Sequence, residues 1–176
     1  MGYRRTEDVA PRLGLASGPL MPFGRLWLPD WAPNLHPVFV HFPIALLVTA
    51  VAVDILSVLS RDRSFTRRAT GFYMLGTLFL MMTYLSGRDA AATVFTPGMA
   101  HAVVQDHWAL AMWTTLYFVA LTAARLLGRG RLLQGDRGVR GIFLIAGTCG
   151  VVLLTMTAER GARLVYQYGV GVAGVP

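Results

Sequence analysis

The chain has 176 residues, of which 55% are hydrophobic and only 14% charged, with a formal net charge of +7 and a mean hydropathy of +0.52. Soluble domains carry about 25% charged residues, so this much apolar surface in one domain-sized chain calls for lipid to cover it. All sixteen basic residues are Arg; they gather beside apolar segments, which is the pattern of membrane topology signals and excludes a nucleic-acid-binding reading. The single Cys149 excludes an internal disulfide and a CxxCH haem attachment, and it lies in an apolar run as a small packing residue.

Residues 1–35 form an arm, polar at first and then rich in Gly, Pro and aromatics (Pro19, Pro22, Phe23, Trp27, Pro29, Trp31, Pro33). Nothing in it is long enough to span. Trp27 and Trp31 suit a membrane interface. The Arg4–Arg5 pair is followed by Glu7 and Asp8 and by no long apolar stretch, so it is not a twin-arginine signal.

Residues 36–176 are expected to form one membrane domain. Four apolar segments cover about 38–59, 69–85, 108–127 and 141–158, each near the ~20 residues that cross a bilayer as a helix. The fold class is therefore all-α: a four-helix transmembrane bundle with an N-terminal interfacial arm and an irregular C-terminal tail. No strand alternation and no internal repeat competes with that reading. Gly71, Gly76, Gly147 and Gly150 are candidates for close helix contact.

Loop one carries Arg61, Arg63, Arg67 and Arg68. Loop three carries Arg129, Arg131, Arg137 and Arg140, with Arg125 at its edge. Loop two has only Arg88 against Asp89 and Asp106. The positive-inside rule puts loops one and three in the cytoplasm and both termini on the periplasmic side of an inner membrane. Arg4, Arg5, Arg12 and Arg25 of the arm argue the other way and are outweighed by the two loops.

This topology gathers all four histidines at the outer face: His36 and His41 at the start of helix one, His101 in loop two and His107 one residue before helix three. A neutral imidazole ligates haem iron, copper or zinc. His41 and His107, on two helices of one bundle, are the expected pair of axial ligands to a b-type haem, with His36 and His101 as a second pair or as supporting groups. Arg160, Arg163 and Tyr166 are expected near the propionates or the histidines. Simple hydrogen bonding of interfacial histidines to carbonyls, Asp106 or Glu159 is the competing account. Met74, Met81, Met82, Met99, Met112 and Met156 sit mostly inside helices, where Met is core filler rather than a copper ligand.

Asp54 within helix one is a functional candidate by its place in the membrane; the expected alternative is a salt bridge to Arg63, Arg67 or Arg68. No GxSxG, Cys–His pair, carboxylate dyad or phosphate loop is present, so an enzyme acting on its own is not expected.

Two stretches carry a resemblance: Leu35-His-Pro-Val-Phe-Val-His-Phe-Pro-Ile-Ala-Leu, and Gly161-Ala-Arg-Leu-Val-Tyr-Gln-Tyr-Gly-Val-Gly-Val. They resemble the two ends of domain-of-unknown-function family 2231, small four-helix membrane proteins, and the likeness covers about 34–172. It implies four helices, with His36, His41 and His107 matching the family's histidines and Asp54 a frequent acid. Where the family often reads Gly-Gly before Leu-Val-Tyr, this chain has Gly161-Ala-Arg. Association with redox genes implies haem or electron transfer with an extracytoplasmic redox partner. The alternative is a non-catalytic accessory subunit of a respiratory or photosynthetic membrane complex; a weaker one is a metal or quinone site on His36, His41 and His107.

Overall fold

The computed structural model describes residues 35–60, 62–128 and 136–172. The arm expected over 1–35 therefore lies outside the described residues apart from Leu35, as do Arg61, Arg129 and Arg131 of the two basic loops.

The described residues form five α-helical pieces and one 3₁₀ turn. A single turn, α1 (His36–Phe39), with Pro37 in its first turn, passes through Val40 into α2 (His41–Leu59). Then come α3 (Arg63–Thr93), a 3₁₀ turn (Gly98–Ala100), α4 (His101–Leu127) and α5 (Arg137–Tyr166). Counting α1 with α2, four helices are long and apolar enough to cross a membrane. Each helix neighbours the next in the chain, and α5 closes the ring against α2. This is the square packing of an antiparallel bundle, and it puts the start of α2, the end of α3, the start of α4 and the end of α5 at one end, the histidine end. The opposite end holds Arg63, Arg67, Arg68, Arg137 and Arg140.

The helices start where a side chain can satisfy their first amides. Asp62 caps α3 by accepting from Ser64 N–H at 2.7 Å. Asp136 caps α5, accepting from Gly138 N–H at 2.9 Å and from Val139 N–H at 3.3 Å. The Ser64 amide and hydroxyl together hold the Asp62 carboxyl below the usual carboxylate range.

Three helices outrun the apolar segments that mark them. With 31 residues in α3 and 30 in α5, each is about 45 Å long, some 15 Å more than the hydrocarbon layer. Hydropathy marks only the part in lipid, while the helical hydrogen bonds continue into the polar flank. His101, expected in a loop, thus opens α4. The tail expected to be irregular from residue 159 stays helical to Tyr166, supported by the Glu159–Arg163 ion pair one turn apart. Gly169, at φ 66°, then turns the chain back, so that Val170 N–H bonds to Leu164 C=O at 2.8 Å.

The core is small and central: Leu47 and Ala50 from α2, Tyr73 and Leu80 from α3, Phe118 and Leu121 from α4, and Leu154 from α5. Most other large apolar side chains face outward, among them Leu59, Leu75, Trp113, Ile142 and Ile145. With lipid outside there is little hydrophobic drive between helices, so close backbone approach and polar pairs hold them together. A Cβ on Gly76 would lie 2.7 Å from Leu47, and one on Gly150 would lie 2.7 Å from Phe118. Hydroxyl pairs stitch neighbouring helices: Ser57 with Thr66 at 2.7 Å, Thr77 with Thr122 at 2.8 Å and Thr114 with Thr157 at 2.9 Å.

Candidate functional site

Two polar constellations lie within the bundle. The first is in its core toward the arginine end. The Arg125 guanidinium, fully buried, donates Nη1 to Asp54 Oδ2 at 2.8 Å and Nη2 to Asp54 Oδ1 at 2.9 Å. This two-pronged geometry is the strongest an arginine makes with a carboxylate. The cation also lies over the Tyr73 ring at 4.5 Å and the Phe143 ring at 5.2 Å. The expected salt bridge of Asp54 exists, but Arg63, Arg67 and Arg68 are not the partner. Those three stand at the start of α3 beyond the last turn of α2, whereas Arg125 comes down from α4 at the depth of Asp54. Beside the pair, Arg140 donates to the Ser57 carbonyl at 2.6 Å, in the last turn of α2, where carbonyls lack helical partners.

The second constellation is the histidine end, and the four histidines divide there into two kinds. His41 and His101 are exposed, and each bonds within its own local chain: His41 Nδ1 to Pro37 O at 2.7 Å, His101 Nδ1 to Gly98 O at 2.9 Å. His36 and His107 are half-buried and reach across to another helix. His107 Nδ1 donates to the Thr157 carbonyl of α5 at 3.0 Å. His36 Nδ1 bonds to Ser86 Oγ of α3 at 3.1 Å. The Ser86 hydroxyl spends its own hydrogen on Thr83 O at 3.0 Å, so at the His36 contact its oxygen accepts. Both rings therefore carry the proton on Nδ1 and the lone pair on Nε2.

Both rings also lie against a glycine. A Cβ on Gly87 would come 3.0 Å from His36 Cε1, and one on Gly161 would come 3.2 Å from His107 Cε1. His36 lies 18 positions before Asp54 and His107 lies 18 before Arg125, five helical turns in each case, so both stand on the helix faces that meet at that pair. Five residues separate His36 from His41, half a turn off a shared face, and the break at Val40 does not turn them to the same side.

Glu159 organises the rest of this end. It pairs with Arg160 Nη1 at 2.9 Å and with Arg163. Tyr166 is 90% exposed on the last turn of α5. Arg88 lies over the Trp108 ring at 6.0 Å, tying the end of α3 to the start of α4. Among the described residues, no group of three or more His, Cys, Asp and Glu side chains comes together as a metal site. Ser86, Thr157, Gly87 and Gly161 were not singled out from sequence as parts of the site. Their signal was present only as spacing, because Ser86 and Thr157 each lie 50 residues after the histidine they hold.

A bundle of four apolar helices, arginine-rich at one end and histidine-bearing at the other, defines a multi-pass helical membrane protein. The chain belongs to the family described as "Predicted membrane protein (DUF2231)", whose model matches residues 32–174. No curated protein and no solved structure matches it.

Proposed function

We propose that this protein is a membrane-embedded electron carrier that holds a b-type haem at its histidine end. The observation that carries this reading is the pair His36 and His107. Each ring is fixed by an Nδ1–H bond to an acceptor on a different helix, at 3.1 and 3.0 Å. That bond sets the ring's orientation, makes Nε2 the basic nitrogen and raises its ligand strength, which is how metal-bound histidines are usually held. Two imidazoles, with no group of three or more His, Cys, Asp and Glu among the described residues, suit an iron that already has four nitrogens from a macrocycle better than a bare ion, which in protein sites usually takes at least three protein ligands.

When bound, the haem would supply a one-electron redox couple. The chain's own part is to hold the imidazoles, exclude water with the surrounding apolar helices and balance charge. The cluster of Arg160 and Arg163 on Glu159 has two cations for one carboxylate, and its guanidinium groups would suit propionates. The basic arginine end faces the cytoplasm in this reading, so the histidine end faces an extracytoplasmic redox partner.

The test is the visible spectrum of the full chain purified from haem-supplemented cells, air-oxidised and then dithionite-reduced. A sharp α-band on reduction, with about one haem per chain, is expected. A protein that carries no haem and takes up none on titration contradicts the reading, and stoichiometric co-purifying subunits would then favour an accessory role in a larger complex.

A further inference from the structure

The two helix hairpins, α2–α3 and α4–α5, repeat one another. In α2 the buried positions Pro43, Leu47, Ala50 and Asp54 each have a buried counterpart in α4: Thr114, Phe118, Leu121 and Arg125. The spacing is 71 in every case, the same as the separation of the Asp54–Arg125 pair itself. In α3 the buried Thr66, Tyr73, Gly76 and Leu80 correspond to Arg140, Gly147, Gly150 and Leu154 of α5. Their spacing is the 74 positions from residue 73 to residue 147. The three extra residues fall between Arg125 and Arg140.

The contacts repeat along with the burial. Gly76 meets Leu47 as its counterpart Gly150 meets Phe118, both at 2.7 Å from a built Cβ. Asp62 caps α3 through Ser64 N–H as Asp136 caps α5 through Gly138 N–H. His36 rests on Gly87 as His107 rests on Gly161. Helix neighbours agree as well, since α2 packs on α5 as α4 packs on α3. Both hairpins run in the same direction, so the operation relating them is a pseudo-twofold rotation about the bundle axis.

Equivalent residues that lie close to such an axis meet across it. Asp54 meets Arg125, and Tyr73 Oη fills the space a Cβ on Gly147 would need. Each axial pair is complementary, acid against base and large against small, as two halves need once they pair only with each other. His36 and His107, also 71 positions apart, are the equivalent pair at the histidine end, on the same helix faces as Asp54 and Arg125.

Resting on the haem reading above, we infer that His36 and His107 are the two halves of one pseudo-symmetric ligand site, one imidazole from each hairpin, taking a planar metal-centred macrocycle from its two faces. A pseudo-twofold site matches a ligand whose two axial positions are chemically alike.

The experiment is a haemin titration of the detergent-purified full chain, with electron paramagnetic resonance of the ferric form. Wild type, His41→Ala and His101→Ala should bind one haem with a low-spin, bis-imidazole signal. His36→Ala and His107→Ala should each lose the low-spin signal, and added imidazole should restore it in both, which a misfolded protein would not permit. His36→Met and His107→Met should each give the same altered low-spin spectrum. Gly87→Ala and Gly161→Ala, which push a methyl toward the respective ring, should both weaken binding, on the order of 10- to 100-fold. Retention of the wild-type signal in His36→Ala, or its loss in His41→Ala, overturns the ligand pair while leaving haem binding intact. Unequal behaviour of the two glycine variants overturns the equivalence of the two seats. Absence of haem uptake by wild type overturns both the pair and the function it rests on.

Discussion

Asp54 and Arg125 stand 71 residues apart in sequence and meet at the centre of the bundle through two hydrogen bonds of 2.8 and 2.9 Å. Both are nearly sealed from outside, at 4% and 0% exposure. A buried pair is costly to form but far more costly to halve, because the surviving charge has nowhere to go.

Asp54→Ala or Arg125→Ala should therefore each destabilise the protein by about 3–5 kcal/mol. The double replacement Asp54→Leu/Arg125→Leu should cost less than either single change. Thermal unfolding in mild detergent reads the order directly. A double variant that is worse than the sum of the singles would contradict the pairing.

Glycine substitutions separate close helix contacts from open ones. Gly76→Ala and Gly150→Ala place a methyl 2.7 Å from Leu47 and Phe118 and should each cost about 1–3 kcal/mol by overpacking. Gly71→Ala meets nothing within 4 Å. It should be neutral or gain about 0.5–1 kcal/mol from helix propensity. Unfolding midpoints of the three variants, measured side by side, check this.

Orientation follows from the arginines. In a Cys149→Ala background, Leu127→Cys at the arginine end should resist a membrane-impermeant maleimide in intact cells, while Met99→Cys at the histidine end should react. These side chains are 90% and 79% exposed, so access within the protein is not limiting. The reverse labelling pattern inverts the topology and places the histidines in the cytoplasm.

Ser86 holds His36 without being a ligand. Ser86→Ala removes one acceptor of the Nδ1–H, the hydroxyl oxygen at 3.1 Å. The reduced α-band should survive, while the midpoint potential shifts upward because a less basic imidazole stabilises the ferric state less. An unchanged potential would detach Ser86 from the site.

Much of the fold was legible because lipid imposes a simple rule: backbone groups must be satisfied within the segment, so long apolar runs become helices. The ends were not legible by that rule. Arg63 to Arg68, the stretch after Leu85 and the turns on either side of Glu159 are polar or mixed, and hydropathy is blind to helix outside the hydrocarbon. The histidine end was located correctly as a group, since all four histidines flank helices at the same end. Choosing between His36 and His41 needed the angular setting of the break at Val40, which spacing alone does not carry. Likewise the partner of Asp54 was sought among sequence neighbours, whereas depth in the bundle selected Arg125. The repeat escaped notice because the halves share burial and contacts far more than residue identity. At its axis the counterparts Asp54 and Arg125, or Tyr73 and Gly147, are opposites by necessity.

The central claim is that the histidine end carries an electron, and a potentiometric titration of the full chain reconstituted in liposomes tests it most directly. A single reversible one-electron transition, followed at the reduced α-band and lost in both His36→Ala and His107→Ala, is the predicted result. A chain with no reversible transition across the range of b-type haems, in membranes where it is folded and haem is supplied, would contradict the account.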